Sequence, residues 1–461
     1  MQIKTNQLNK KYSYIIVGAG IIGLTILREL LENGKKDILV IESGSLLSSN
    51  PYPNFMNVTS KNHKIKTTST FSGVGGCSNV WGTICGLFDK EKIDSYYKEK
   101  KFPINYDEYL YYLNEAKKYG YPSPNKFQEN IKINKNLKSK KFIKVKPTIN
   151  YFHFSSILES ENVHFLQNSI VTKIVKKSEE NSIEVKSDKI NFSDIIADKL
   201  ILCANTLQSI KILLNSNLKL NRLGKGFMNH PKGVIGTFKK NSKLSNFLET
   251  KFKNEITYFG IKQIDSSYNH YLKIENGFNT PFLNYIYKTI TNNTKKYNGN
   301  IYGIKSKVFD LLRILLNIIK KILNKIFKNR FHIVAHLEMS NSSKNKVYID
   351  QLNNLTVDYK ISDHSISELK RLIDNFQSDF DIKIKNIPKK NSQLKRFVSV
   401  DASHHMGGIE CGVDASVDMN LCLHNFKNIH VCGGAIFPFS GVANPTLTYV
   451  SLAIWLSREI L

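Results

Sequence analysis

Acidic residues are scarce in this chain. Of its 461 residues only 38 are Asp or Glu, against 66 Lys and Arg, for a formal net charge of +28. Arg is sparse while Lys, Asn and Ile abound, so much of the excess is compositional. A basic surface still favours anionic partners such as nucleic acid, acidic glycans or a membrane face. No nucleic-acid module is recognisable, so nucleic acid is not expected as a partner. Cysteine is also limited: six residues, scattered, with no C-x-x-C pair. That argues against a disulfide scaffold or a structural zinc site and fits a reducing compartment. No uninterrupted apolar run is long enough to span a bilayer. The opening "MQIKTNQLNKKYSY" has no apolar stretch of the secretory kind, so a cytoplasmic location is expected. There is no internal repeat and no low-complexity linker. With 41% hydrophobic and 23% charged residues, the chain is globular material of a length that suits two domains.

The stretch "YSYIIVGAGIIGLTILRELLENGKKDILVIESGS" reads as strand, glycine turn, helix and second strand. Gly18, Gly20 and Gly23 form G-x-G-x-x-G. Gly18 permits the tight turn, Gly20 lets a pyrophosphate approach, and Gly23 lets helix pack on strand. The helix N-terminus offers free N–H groups and partial positive charge to phosphates. Glu42 closes the second strand, where a carboxylate can accept from a ribose diol. The pattern predicts a dinucleotide site and does not by itself separate FAD from NAD.

A second glycine stretch, "SGVGGCSNVWGTICGLFDK" (72–90), brings Gly75, Gly76, Cys77, Asn79, Val80 and Trp81. Its small residues expose backbone donors beside a flat aromatic surface. It resembles the GGxS-x-x-W stretch of the glucose–methanol–choline (GMC) oxidoreductases, which are FAD enzymes. "FPINYDEYLYYLNEA" (102–116), "LILCANTLQSIKILLNS" (200–216) and "LGKGFMNHP" (223–231) resemble further family segments in order. "SHHMGG" is similar to the family's H-x-x-G-[TG], and "NIHVCGGAIFPFSGVANPTLTYVSLAIWLS" to its C-terminal ending. The sugar-oxidising and polysaccharide-locus branches are the most similar, and residues 240–330 match poorly. The resemblance implies a Rossmann-like α/β FAD-binding domain interleaved with an α+β substrate domain built on an antiparallel sheet. The expected division gives 10–95, 160–235 and 400–461 to the first, and 96–159 and 236–399 to the second. "HIVAHLEMS" and "KVYIDQLNNLTVDYKIS" are expected among the strands of that antiparallel sheet. Val171, Ala204, Gly434, Ala435, Pro445 and Thr446 are implied cofactor contacts. Asn205 stands where the family usually has glycine. Val80 stands where some family sugar oxidases carry the His that bonds FAD, so non-covalent FAD is expected.

The adjacent His404 and His405 are the candidates for a catalytic base. Oxidising an alcohol on a flavin requires removal of the hydroxyl proton, for which imidazole is suited. Aligning H-x-x-G on Gly407 implies His404; counting from Gly408 gives His405 as the alternative. A metal site is not expected, because Glu410 and Cys411 are the only neighbouring ligand types and no zinc spacing appears. Asn444 precedes Pro445 and an apolar helix, which predicts an N-cap; the resemblance adds orientation of the substrate hydroxyl.

"KSKVFDLLRILLNIIKKILNKIFKNR" (305–330) has a wide apolar face and a nearly all-cationic polar face. That composition suits either a helix lying on an anionic membrane surface, peripheral on the inner face, or one packed on the protein with a solvated basic face. On the membrane reading, deleting it should abolish sedimentation with anionic liposomes; unchanged sedimentation would refute that reading. The expected function is therefore FAD-dependent oxidation of a CH–OH group, on a sugar or lipid-linked sugar, with an unidentified electron acceptor. The alternatives are an FAD-containing lyase of the same fold and an inactive flavoprotein scaffold in glycan assembly.

Overall fold

The computed structural model describes residues 8–45, 50–51, 58–66, 69–79, 81–127, 132–145, 155–177, 180–187, 191–239, 241–252, 257–276, 315 and 330–461. Val80 and, apart from Leu315 and Arg330, the basic segment 305–330 lie outside these residues.

The apolar run at Lys11–Val17 becomes the central strand of a seven-stranded sheet, paired in parallel with Ile38–Ile41 on one side and Asn191–Leu202 on the other. Val163–Leu166 and Ile429–Val431 extend the parallel part. Ser169–Lys177 and Glu180–Ser187 add an antiparallel meander. Both faces of the inner strands are covered, which is why Ile38–Ile41 is apolar at every position. Register then decides where chemistry can occur. Val17 lies beside Ile41 and Leu202, Ile41 beside Leu166, and Leu202 beside Val431. The carboxyl ends of these strands are therefore level, so Gly18, Glu42, Cys203 and Cys432 emerge along one edge. Ligands of open α/β sheets bind at that edge.

A second sheet of six antiparallel strands runs in the order Lys232–Lys239, Arg330–His336, Tyr271–Asn276, Thr257–Gln263, Leu137–Lys144 and Ile84–Cys85. One face buries Leu137, Ile261, Leu272 and Ile333 against the helix Asp363–Phe380. The other face carries Tyr271 and Lys262.

The expectation for "KVYIDQLNNLTVDYKIS" needs correction. Lys346–Ile349 and Leu355–Tyr359 do form an antiparallel hairpin, but it pairs with Val58–Asn62 in a separate three-stranded sheet. The reason is what its apolar face meets. Val347, Leu355, Val357 and Tyr359 are buried in the core of the parallel sheet, not in that of the six-stranded one. The Val347 N–H donates to the Gly224 carbonyl at 2.7 Å, fixing the edge there.

Candidate functional site

A cavity of about 380 Å³ opens along the level strand ends. Its walls include Gly18, Gly20, Glu42, Gly75, Gly76, Cys77, Trp81, Val171, Ala204, Gly434, Ala435, Pro445 and Thr446, together with His404, His405 and Asn444. The glycines are spatial requirements. Gly18 sits at φ +103, and a Cβ there would stand 2.7 Å from the Cys203 carbonyl oxygen. A Cβ at Gly23 would stand 2.0 Å from the Gly18 carbonyl oxygen, so Gly23 serves helix–strand packing behind the cavity wall. At Gly20 a Cβ would meet nothing within 4 Å, because the space before it is the cavity. The helix Ile21–Glu32 starts there with no side-chain cap, leaving its N-terminal donors to a ligand. Asn79 also stands behind the wall: its Nδ2 donates to the Val74 carbonyl at 2.8 Å and holds the second glycine loop. That loop is tied to the first by the Gly75 N–H on the Ala19 carbonyl at 2.8 Å.

Glu42 is buried and mostly occupied by the protein itself. Its Oε1 accepts from the Gly44 and Gly73 N–H groups, each at 2.9 Å, and from Ser43 Oγ at 3.0 Å. Oε2 accepts from the Ala19 N–H at 2.9 Å and keeps a lone pair for a ligand hydroxyl. The carboxylate thus fastens both glycine loops as well as facing the cavity.

Asn205 keeps the turn that the family's glycine would make, at φ 62 and ψ 159. This is a region favoured almost only by glycine. Its side chain partly compensates by accepting from the Leu207 N–H at 3.2 Å. Asn205→Gly should therefore raise the unfolding free energy by about 1 kcal/mol, the relief of strain exceeding the few tenths lost with the cap. A lower melting temperature for the variant would contradict this.

The histidines come together through backbone pairing between two distant segments. Met228 and Met406 exchange N–H···O bonds of 2.8 and 2.9 Å, and Lys232 and Val400 exchange bonds of 3.0 and 3.1 Å. Fully buried Asn229 clamps the result: its Oδ1 accepts from the His230 N–H at 2.8 Å and the His404 N–H at 3.3 Å. Ring contacts then fix the tautomers. His230 Nε2 can only donate to the Ser440 carbonyl, 2.9 Å away. Its Nδ1 is therefore the acceptor for His404 Nδ1–H at 3.0 Å. That leaves His404 Nε2 with a lone pair, facing the Asn444 Nδ2 at 3.4 Å. Burial pushes the pKa of His230 down to about 4 and holds His404 well below the ordinary imidazole value; neighbouring His230 and Lys232 push His404 the same way. Both rings are neutral near pH 7.

His405 has a different environment. Its Nε2 meets Asp401 Oδ1 at 3.3 Å in the core. Burial alone would raise the Asp401 pKa, but His405, Ser69 Oγ and the Lys66 N–H hold it well below the carboxylate range. The same Asp401 Oδ1 accepts from Asn229 Nδ2 and the Ser403 N–H, each at 2.7 Å.

The helix Thr446–Glu459 takes Pro445, not Asn444, as its N-cap, without a side-chain cap bond. The expected capping by Asn444 is corrected for a physical reason: its amide is turned to His404. The sequence reading assigned no role to His230, although "LGKGFMNHP" contains it. Its partner lies 174 positions away, beyond any local period. Gln208 and Tyr449 were missed as well. Among the described residues, Gln208 Oε1 and Tyr449 OH are buried without a hydrogen-bond partner, and both residues line the cavity. Orphaned polar atoms of this kind call for a ligand that bonds to them. Together with the uncapped helix start and the glycine openings, they fit a dinucleotide.

The level edge of parallel strands thus carries a glycine-turned cavity that fits a dinucleotide, with His404 and Asn444 in its wall. Known proteins agree. Residues 341–453 match the C-terminal family model of the GMC oxidoreductases. Over 130 residues, 24% of this chain, the sequence is 31% identical to a glucose oxidase of Penicillium chrysogenum; the match spans only 21% of that relative. Among solved structures, pyridoxine 4-oxidase from Mesorbium loti superposes with a TM-score of 0.63 at 12% identity, covering 97% of this chain and 99% of its own. A fungal aryl-alcohol oxidase gives 0.61 at 13%, covering 98% and 99%. Likeness at that identity is likeness of fold. The family match is confined to residues 341–453, and the likeness that extends over the rest of the chain is one of fold.

Proposed function

We propose that the protein is an FAD-dependent oxidoreductase that oxidises a CH–OH group, on a sugar or a lipid-linked sugar, with FAD held non-covalently. One observation carries this reading: a histidine lone pair, set by a fixed tautomer chain, stands beside a carboxamide at the wall of a dinucleotide cavity. A substrate hydroxyl seated between these groups would donate to His404 Nε2 and accept from Asn444 Nδ2. As the carbon–hydrogen bond breaks, the hydroxyl proton passes to Nε2, and His404 becomes an imidazolium. His230 Nδ1 continues to accept from His404 Nδ1–H, so the new charge forms on a ring whose other nitrogen is already paired. FAD bound in the cavity would supply the acceptor for the hydride. The glycine loops and the first turn of Ile21–Glu32 would hold its phosphates, Glu42 its ribose, and Tyr449 and Gln208 its remaining polar edges. The start of Thr446–Glu459 would place uncapped N–H groups at the cavity, where negative charge on a reduced cofactor is stabilised.

Mixing the yellow protein anaerobically with a panel of sugars and simple alcohols tests the reading. It predicts loss of the oxidised-flavin band with at least one sugar and release of a carbonyl product. Carbonyl release without bleaching would replace it with a lyase reaction.

A further inference from the structure

Among the described residues, the second face of the six-stranded sheet bears more basic than acidic side chains. In antiparallel register, side chains directly opposite share a face. Lys232 lies opposite His336, His336 opposite Tyr271, and Tyr271 opposite Lys262. Lys273 and Lys140, both opposite or flanking Gly260, belong to the same face. This face lies near His404, on which both Lys232 and His336 act electrostatically. The His336 and Tyr271 rings stack at 4.4 Å and make its flat floor.

Its cations outnumber its anions. The buried Lys140 and Lys262 both reach a single carboxylate, Asp89, at 3.0 Å each. Lys273 reaches Glu275 at 2.6 Å. Lys232 has no ion-pair partner among the described residues, and its near charges are Lys66 and Lys273 of its own sign and Glu275 and Asp401 of the other. Burial lowers its pKa, Lys66 and Lys273 lower it further, and Glu275 and Asp401 only partly oppose them. Lys66 itself bonds to the Asp401 carbonyl. A partly buried ammonium beside other ammoniums is costly unless an anion joins them.

We infer that this face is an anion site, and that the alcohol oxidised at His404 carries a phosphate group held by Lys232 with Lys273. This rests on the proposed reading of His404 as the base. A phosphate presents several acceptor oxygens at once and supplies the negative charge that a neutral sugar lacks. The ester could be soluble or the headgroup of a lipid.

The test has two readouts. The first is a thermal-shift titration of the purified protein with inorganic phosphate, which requires no turnover. Saturable stabilisation is expected, weakened about tenfold or more in Lys232→Met and largely retained in Lys232→Arg. The second is anaerobic flavin reduction by glucose and glucose 6-phosphate, and by vesicles of phosphatidylinositol and phosphatidylcholine. The ester should reduce the flavin at least about tenfold faster than the free sugar, and Lys232→Met should collapse that ratio. Preference for phosphatidylinositol over glucose 6-phosphate would identify the lipid source, and the reverse the soluble one. Equal rates for ester and free sugar, with no stabilisation by phosphate, would overturn the anion site while leaving the flavin reading intact. A colourless protein that still binds phosphate through Lys232 would support the site and sink the flavin reading.

Discussion

His404→Ala should leave the protein yellow and slow reduction of its flavin by substrate roughly 100-fold or more. The prediction follows from geometry: Nε2 of His404 is the one lone pair that the tautomer chain leaves directed at Asn444. His405 cannot substitute without leaving Asp401, which already holds it in the core. The pH dependence has a definite sign. The working form of His404 is neutral, and burial and its neighbours depress its pKa well below the ordinary value. Flavin reduction should therefore stay level as pH falls through the ordinary histidine range, and drop only below it. Stopped-flow reduction against pH checks both parts. Equal rates in the variant, or a wild-type rate that halves near the ordinary imidazole pKa, would move the base elsewhere.

His230→Leu should cost roughly 10- to 100-fold in the same step, because His404 Nδ1–H then loses its acceptor. A buried donor without a partner costs about 1–3 kcal/mol, and the ring would be free to adopt the other tautomer. His230 touches neither cofactor nor substrate in this account; it is a positioning residue. A merely structural role would lower stability without changing the pH profile. A positioning role predicts a shifted profile in His230→Leu and partial rescue in His230→Gln, whose side-chain oxygen can accept from Nδ1–H. A profile identical to wild type in both variants would contradict the chain from Ser440 through His230 to His404.

Much of this site is legible in the residues. The first strand, its glycine turn and Glu42 are local features, and local spacing suffices to read them. The same holds for the second glycine loop. What the sequence leaves open is set by long-range pairing. Whether His404 or His405 meets Asn444 depends on the Met228–Met406 pairing and on Asp401 capturing one ring. Asn444 has the residue type and position of a cap, and only the presence of an imidazole opposite decides its orientation. The hairpin at 346–359 alternates as any half-buried strand pair would. Its period cannot say which of two cores receives the apolar face. Tyr449 could have been found, since it lies one turn beyond Pro445 on the helix that opens at the cavity.

The most direct check of the central claim is the visible spectrum of the purified protein after incubation with FAD, followed by denaturation and analysis of the released chromophore. The account predicts a yellow protein with oxidised-flavin bands, and FAD free in the supernatant once the chain is unfolded. A protein that stays colourless with FAD in excess would contradict it.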